Sequence, residues 1–365
     1  MHAAGRLVVE GWSPRDLAQA QRLLTDGLRA LPRPVEYLVG PGGFVTLYAP
    51  VADFESGWGS SERLPESFEK LAKACAAELS DSVPDVARRK AHYFTFGLDI
   101  RDDSPAVEKH AELVVVVDLR TSKMALLTGK TYPTADQVRT LIRAADWRSH
   151  LWTPPNGDRV IVLGCHDFNI YSNRALSEAG KKKDGERYKE ILKARKLFKA
   201  FRPTHVLHHP HGTDIASTWR VAYSGVKELH PKLEQAVSGI GHPRFKSREN
   251  DDVEVVLAAT QTPACASVDV VVRGNAGPSE RQADAIPKSL DTAVSAEEQA
   301  REDAKAQADY ERGMREWRYF EKHGEPMRYF DSDGKQMKRV VRTTKPAPPP
   351  KPHKGIKATK KNSCA

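Results

Sequence analysis

Apolar positions recur along the chain in two rhythms, and their alternation sketches the elements. Ser13-Pro14 reads as an N-cap and first helical position, after which Leu17, Ala20, Leu23, Leu24 and Leu28 fall at helical spacing. Apolar runs at 35–39 and 44–48 flank Gly40-Pro41-Gly42-Gly43 and predict a hairpin with a four-residue turn. A Gly/Ser-rich stretch at 56–61 precedes a helix predicted over about 65–79. Strands follow at 92–100, 112–119 and 123–128, and Thr121-Ser122 between the last two makes this an antiparallel meander. Thr134 with Gln137 three residues on is a capping box, predicting a helix whose inner face is Val138, Leu141 and Ile142.

Beyond residue 158 the rhythm changes. A short, continuously apolar strand at 159–163, a helix at 186–201 and a second apolar strand at 204–207 predict a β-α-β unit with parallel strands buried on both faces. A helix at 217–229 puts Trp219, Ala222, Tyr223 and Val226 on one face, and strands at 253–259 and 268–272 complete the sheet. Ser295 with Glu298 opens a long Ala/Glu/Lys/Arg-rich helix to about residue 321, followed by a turn at 330–334. The predicted fold is therefore α/β: a mixed sheet with a parallel β-α-β core, a smaller N-terminal α+β unit, and a helical, then disordered, basic C-terminus. The corresponding divisions are 1–88, 89–280, 281–334 and 335–365.

The chain has 365 residues, long enough for a substantial core, and a formal charge of +9. That excess is local. Residues 335–365 hold ten Lys/Arg and no acid, while 1–334 balance 47 basic against 48 acidic residues. Five prolines keep the tail extended, and its reading is a salt-sensitive attraction to nucleic acid or another polyanion, or simply a solubilising terminus. A second concentration lies at 181–202, with ten basic and three acidic side chains. No 18-residue apolar run and no secretory leader pattern occur. Four dispersed cysteines form no CxxC pair, which excludes a disulfide scaffold and a zinc ribbon and leads to the expectation of a reducing, cytoplasmic setting.

Candidate chemistry gathers after the two parallel strands, in Gly164-Cys165-His166-Asp167-Phe168-Asn169 and His208-His209-Pro210-His211-Gly212-Thr213-Asp214. Parallel strands bring these carboxyl-end segments to one edge, where open α/β sheets bind ligands. Three readings follow. In the first, a divalent metal ion (Zn, Mn or Mg) is held by ligands drawn from His166, Asp167, His209, His211 and Asp214, with His208 in support, and the chain is a hydrolase of phosphoesters or other anionic substrates, nucleic acid included. In the second, Cys165 is a nucleophile with His209 or His211 as base and Asp167 or Asp214 orienting the imidazole. In the third, the cluster is structural and the chain binds nucleic acid or a protein partner without catalysis. Cys165 alone reads equally as a small buried hydrophobe, and Asp214 or Ser217 as the N-cap of the next helix, where an anion could also sit.

The long connection from Cys165 to Gly185 predicts a lid or binding loop, and Arg174 with Lys181, Lys182 and Lys183 would recruit an anionic substrate. Gly129-Lys130-Thr131 lacks the glycine needed for a P-loop, since position 124 is Met, and 239–244 lacks the third glycine of a dinucleotide fingerprint. The histidine segment departs from HxHxDH: its Asp comes one position late, with no His after it. Asp99 and Asp118, near the ends of meander strands, could extend a two-metal site or simply terminate strands.

Overall fold

The computed structural model describes residues 4–10, 16–102, 108–180, 185–213, 215–242, 251–261, 267–273 and Met314. The chain divides into two units, Met1–Ala276 and Gly277–Ala365. The strands and helices named below belong to the first. The predicted C-terminal helix, turn and basic tail, and the Ser13-Pro14 cap, lie outside the described residues apart from Met314.

Among the described residues the strands form two sheets. The larger contains β1 (Ala4–Glu10), β2 (Val35–Val39), β3 (Val45–Tyr48), β4 (Ala91–Arg101), β5 (His110–Asp118) and β6 (Lys123–Gly129). The smaller contains β7 (Leu151–Trp152), β8 (Val160–Gly164), β9 (His205–His209) and β10 (Gln235–Ser238). The chain then returns to the larger sheet, where β11 (Ile240–His242) and β12 (Val268–Arg273) both pair with β1. The meander expectation holds, as β5 pairs antiparallel with β4 and β6. The β-α-β expectation holds as well: β8 and β9 are parallel, with Val160 opposite His205 and Gly164 opposite His209.

Period-2 alternation assigns each strand two buried faces. Tyr37, Val39, Val114 and Val116 of the larger sheet pack against Val160, Val162, Leu207 and Val237 of the smaller, so the sheets face one another across an apolar layer. The intervening residues point outward. Leu38, Phe94, Leu113 and Val115 meet the apolar stripes of α1 (Leu17–Ala30) and α2 (Glu66–Asp81), after which comes the single-turn α3 (Asp85–Arg88). Ile161, Leu163 and Val206 meet Ile191, Ala194 and Phe198 of α5 (Glu186–Phe201), together with Trp219 and Tyr223 of α6 (Ala216–Leu229). The result is a four-layer helix-sheet-sheet-helix sandwich. Inner-face polar residues of β4, β5 and β9 therefore have no solvent and must find one another.

Several expectations change. The 35–48 hairpin does not form, because β2 and β3 each run parallel to β4 rather than pairing together. The Gly40–Gly43 link lies flat on β4, with Gly40 N–H on the Thr95 carbonyl (2.7 Å) and Gly97 N–H on the Pro41 carbonyl (2.9 Å). No side chain fits there: a Cβ on Gly97 would stand 2.4 Å from Gly42 Cα. The sheet crosses the expected division at residue 88, since β2 on one side pairs with β4 on the other. Residues 134–140 make turns instead of a helix; Gln137 reaches back to Thr134, but its amide is also drawn to Glu112 Oε1 (2.5 Å). The segment expected as a strand at 253–259 is α7 (Val253–Ala259), whose Val256 and Ala259 pack on Val8 and Ala216. The long 165–185 connection holds a short 3₁₀ helix (His166–Tyr171) and α4 (Asn173–Ala179).

Candidate active site

The edge where β8 and β9 end is the place where buried polar side chains accumulate. Glu112 follows His110 on the inner face of β5, cross-strand from Asp99 of β4, and Lys130 follows β6 directly. Lys130 Nζ lies 3.0 and 2.9 Å from the two Glu112 oxygens, and its backbone N–H bonds the Glu112 carbonyl at 2.7 Å. The ammonium is 2% exposed and Glu112 7%. Burial alone would raise the Glu112 carboxyl, but His211, His110 and Lys130 around it hold it well below the usual carboxylate range. Burial likewise disfavours the ammonium, and Glu112, Cys165 and Asp167 together outweigh it, raising the Lys130 pKa.

Cys165 stands at the carboxyl end of β8 as the cap of the 3₁₀ helix, largely buried. Its thiol stands near enough to the His211 ring to help raise that ring's pKa, and it lies within electrostatic range of Lys130. His211 is gripped by carboxylates: Nε2 is 2.8 Å from Asp99 Oδ1, and Nδ1 is 3.4 Å from Glu112 Oε2. Burial works against charge on the ring, yet Asp99 and Glu112 hold its pKa well above the ordinary imidazole value. The glycine link supports this ring from behind: Cβ atoms on Gly42 and Gly43 would each approach it at 3.0 Å, and Gly43 has φ +57°. The centre thus brings together a thiol, an imidazolium with two carboxylate partners, and a buried ammonium.

The remaining expected residues have other tasks. His208 points outward from β9; its Nε2 donates to the Cys165 carbonyl (2.7 Å) and its Nδ1 accepts from Ser238 Oγ (2.7 Å), whose oxygen takes the Tyr223 hydroxyl (2.7 Å). Burial pushes His208 down to about 3, so the ring is neutral and anchors the Cys165 turn. His209 points inward, with Nδ1 donating to the Leu163 carbonyl (3.0 Å) and Nε2 accepting from Thr95 Oγ1 (2.9 Å), and burial pushes it down to about 4. Asp167 is fully buried and accepts the Thr131 and Tyr132 backbone N–H groups at 2.7–3.1 Å, fixing the segment that presents Lys130. His166, lowered to about 4 first by burial and then by Lys130, lines a neighbouring cleft.

The metal expectation is corrected by this arrangement. Both ring nitrogens of His208 and His209 and both oxygens of Asp167 are committed to protein partners, and among the described residues no group of three or more His, Cys, Asp or Glu could hold an ion. Asp214, Lys181, Lys182 and Lys183 lie outside the described residues. Arg174 and Ser217 do meet, but at a separate cleft of about 340 Å³, and Arg174 pairs with Glu178 at 3.0 Å. Ser217 does not cap α6; Ile215 is the cap residue, and Ala216 N–H bonds Asp251. Asp118 caps the β5–β6 turn through Arg120 N–H (2.8 Å), at the far end of β5 from Glu112. The sequence reading missed Glu112 and Lys130. Their only signal was a charged residue opening one apolar strand run and another closing the next.

No protein-family model and no curated protein matches this chain. Solved structures with a similar arrangement include a mutant amidase from Nesterenkonia sp. AN1 in which acrylamide has added to the active-site cysteine (12% identity, TM-score 0.40, 66% of this chain and 77% of that one). A carbon–nitrogen hydrolase from Helicobacter pylori (11%, 0.34, 65% and 72%) and a CN-hydrolase superfamily protein from Xanthomonas campestris (10%, 0.34, 65% and 73%) are others. Likeness at this level carries no argument about activity, and the chemistry is read from the side chains. Among the described residues no helix is long and apolar enough to cross a membrane.

Proposed function

We propose that the chain is a cysteine hydrolase that cleaves an amide-type C–N bond through an acyl thioester intermediate on Cys165. The observation that carries this reading is the Cys165 thiol set against His211, which two carboxylates keep protonated, beside the Lys130 ammonium. An amine is a poor leaving group until it is protonated, and an imidazolium with a raised pKa can supply that proton at neutral pH. Once its proton has passed to solvent, Sγ attacks the carbonyl carbon while Lys130, with at most two of its three ammonium protons engaged by Glu112, stabilises the oxyanion. As the C–N bond breaks, His211 transfers its proton to the departing nitrogen. The neutral ring then takes a proton from water, whose oxygen attacks the thioester, releasing the acid and leaving Sγ without its proton beside the protonated ring, ready for the next substrate. Asp99 orients the ring in the manner of a triad carboxylate.

The test is a panel of simple amides assayed with and without EDTA. Hydrolysis that survives chelation and disappears in Cys165→Ala supports the proposal; full activity in Cys165→Ala, or loss on chelation alone, overturns it. The anionic-partner expectation for 181–202 is supported separately by Lys189, Lys193, Lys196 and Lys199, all exposed along α5. A polyanion bound there would dissociate steeply with salt.

A further inference from the structure

Two clefts border the centre, and they differ in chemistry. One, of about 450 Å³, reaches Asp99, Glu112 and His211, and its other walls are polar or charged, among them Arg101, Glu108 and Lys109. The second, of about 750 Å³, is lined mainly by Trp58, Tyr132, Pro133, Ala175 and Ala179, with Glu178, Glu186 and Arg187 as its charged residues. That volume suits a small-molecule site, for which ~300–1,000 Å³ is usual. His166 connects it to the chemistry: the residue next to Cys165 lines the cleft and lies within electrostatic range of Lys130, Glu112 and His211.

The aromatic walls are held in place before any ligand arrives. Trp58 and Tyr132 stand edge to face at 6.2 Å and 74°. Arg143 stacks on the Trp58 ring at 4.4 Å, and Arg187 lies 5.7 Å from the Tyr132 ring centre. Arg143 is 4% exposed and bonds the Thr131 and Gly57 carbonyls, tying the turn that carries Trp58 to the segment that carries Lys130. The Tyr132 N–H rests on the buried carboxylate of Asp167. One rigid piece therefore presents both rings and the ammonium. An aromatic substituent gains most from such walls, through offset or edge contacts and burial. A charged one is better served by the other cleft.

Resting on the hydrolase reading, we infer that the Trp58–Tyr132 cleft binds an aryl group of the substrate, making the chain selective for aryl-bearing amides. The probes are 2-chloroacetamide and N-benzyl-2-chloroacetamide, each of which alkylates Cys165 by forming an Sγ–CH₂ bond as the C–Cl bond breaks, with chloride and the thiol proton released to solvent. In the full-length protein the benzyl probe should react about tenfold faster and saturate, as burial and edge or offset contact of one aryl ring would produce. Trp58→Ala should bring the ratio of benzyl to chloroacetamide rates close to one, a ratio in which any general loss of Cys165 reactivity cancels, and Trp58→Phe should keep most of the advantage. Equal rates for the two probes, or a benzyl preference that survives both Trp58→Ala and Tyr132→Ala, overturn the inference. If neither probe labels Cys165, the nucleophile reading fails instead. Calorimetry of benzamide with Cys165→Ala then decides the cleft alone: binding abolished by Trp58→Ala supports it, and no binding overturns it.

Discussion

Replacing Glu112 by Gln removes one negative charge from beside an ammonium that is 2% exposed, while leaving the shape of the site almost unchanged. Breaking a buried ion pair strands the surviving charge, at a typical cost of ~3–5 kcal/mol. The lower end applies here, because Gln still accepts a hydrogen bond and Cys165 and Asp167 also raise the Lys130 pKa. At an m-value of ~3 kcal/mol/M, a loss of ~3 kcal/mol lowers the urea midpoint at pH 7 by about 1 M. Glu112→Gln/Lys130→Met should recover most of that loss, since neither charge then remains buried alone. The pH dependence has a defined sign. The folded Glu112 carboxyl is held below its unfolded value, so its stabilisation is complete above the unfolded pKa of ~4.3 and is lost as pH falls through the folded value. The gap between wild type and Glu112→Gln should therefore close in strong acid. A midpoint at pH 7 within ~0.2 M of wild type would refute the claim that this pair is a buried, mutually dependent charge pair.

Gly42→Ala places a Cβ 2.6 Å from the His209 carbonyl and 3.0 Å from His211 Nδ1; alkylation of Cys165 should slow at least ~10-fold, because ångström-scale misplacement of a catalytic group is that costly. His208→Ala leaves the Cys165 carbonyl and the Ser238 hydroxyl without their partner, and thermal unfolding should report a loss of ~2–4 kcal/mol. With folded values of about 3 and 4 against ~6.5 unfolded, neutral His208 and His209 give stability that is complete above pH ~6.5 and declines as pH falls toward those folded values. Urea midpoints measured at pH 7 and pH 5 should show that decline, and it should be smaller in His208→Ala. Chelation should leave the thermal midpoint unchanged, because the donors that a metal would need already have protein partners.

The β8-α5-β9 unit was legible because short, fully apolar strands and an amphipathic helix leave few alternatives, and their parallel pairing correctly placed Cys165 near His211. The partners of His211 were not legible. Asp99 and Glu112 meet through the β4–β5 register, and Lys130 reaches Glu112 only because β6 pairs with β5 so that Gly129 lies opposite Leu113. Local spacing carries no trace of such a register. His208 and His209 were adjacent candidates for one task, yet strand alternation sends them to opposite faces, where each ring bonds a different backbone carbonyl. The 253–259 segment is rich in β-branched residues, and packing of Val256 and Ala259 against Val8 and Ala216 outweighs that preference.

Trapping the intermediate tests the nucleophile most directly. The full-length protein is mixed with p-nitrophenyl acetate, quenched in acid and digested, and acetyl adducts are mapped by mass spectrometry, with buried Cys75, pushed up to about 12 by burial and by Glu78, as the internal comparison. Acetylation of Cys165 that forms before steady state, decays with turnover, and is absent at Cys75 and throughout Cys165→Ala is the predicted result. Turnover of the ester with no adduct at Cys165, or undiminished turnover by Cys165→Ala, would contradict the account.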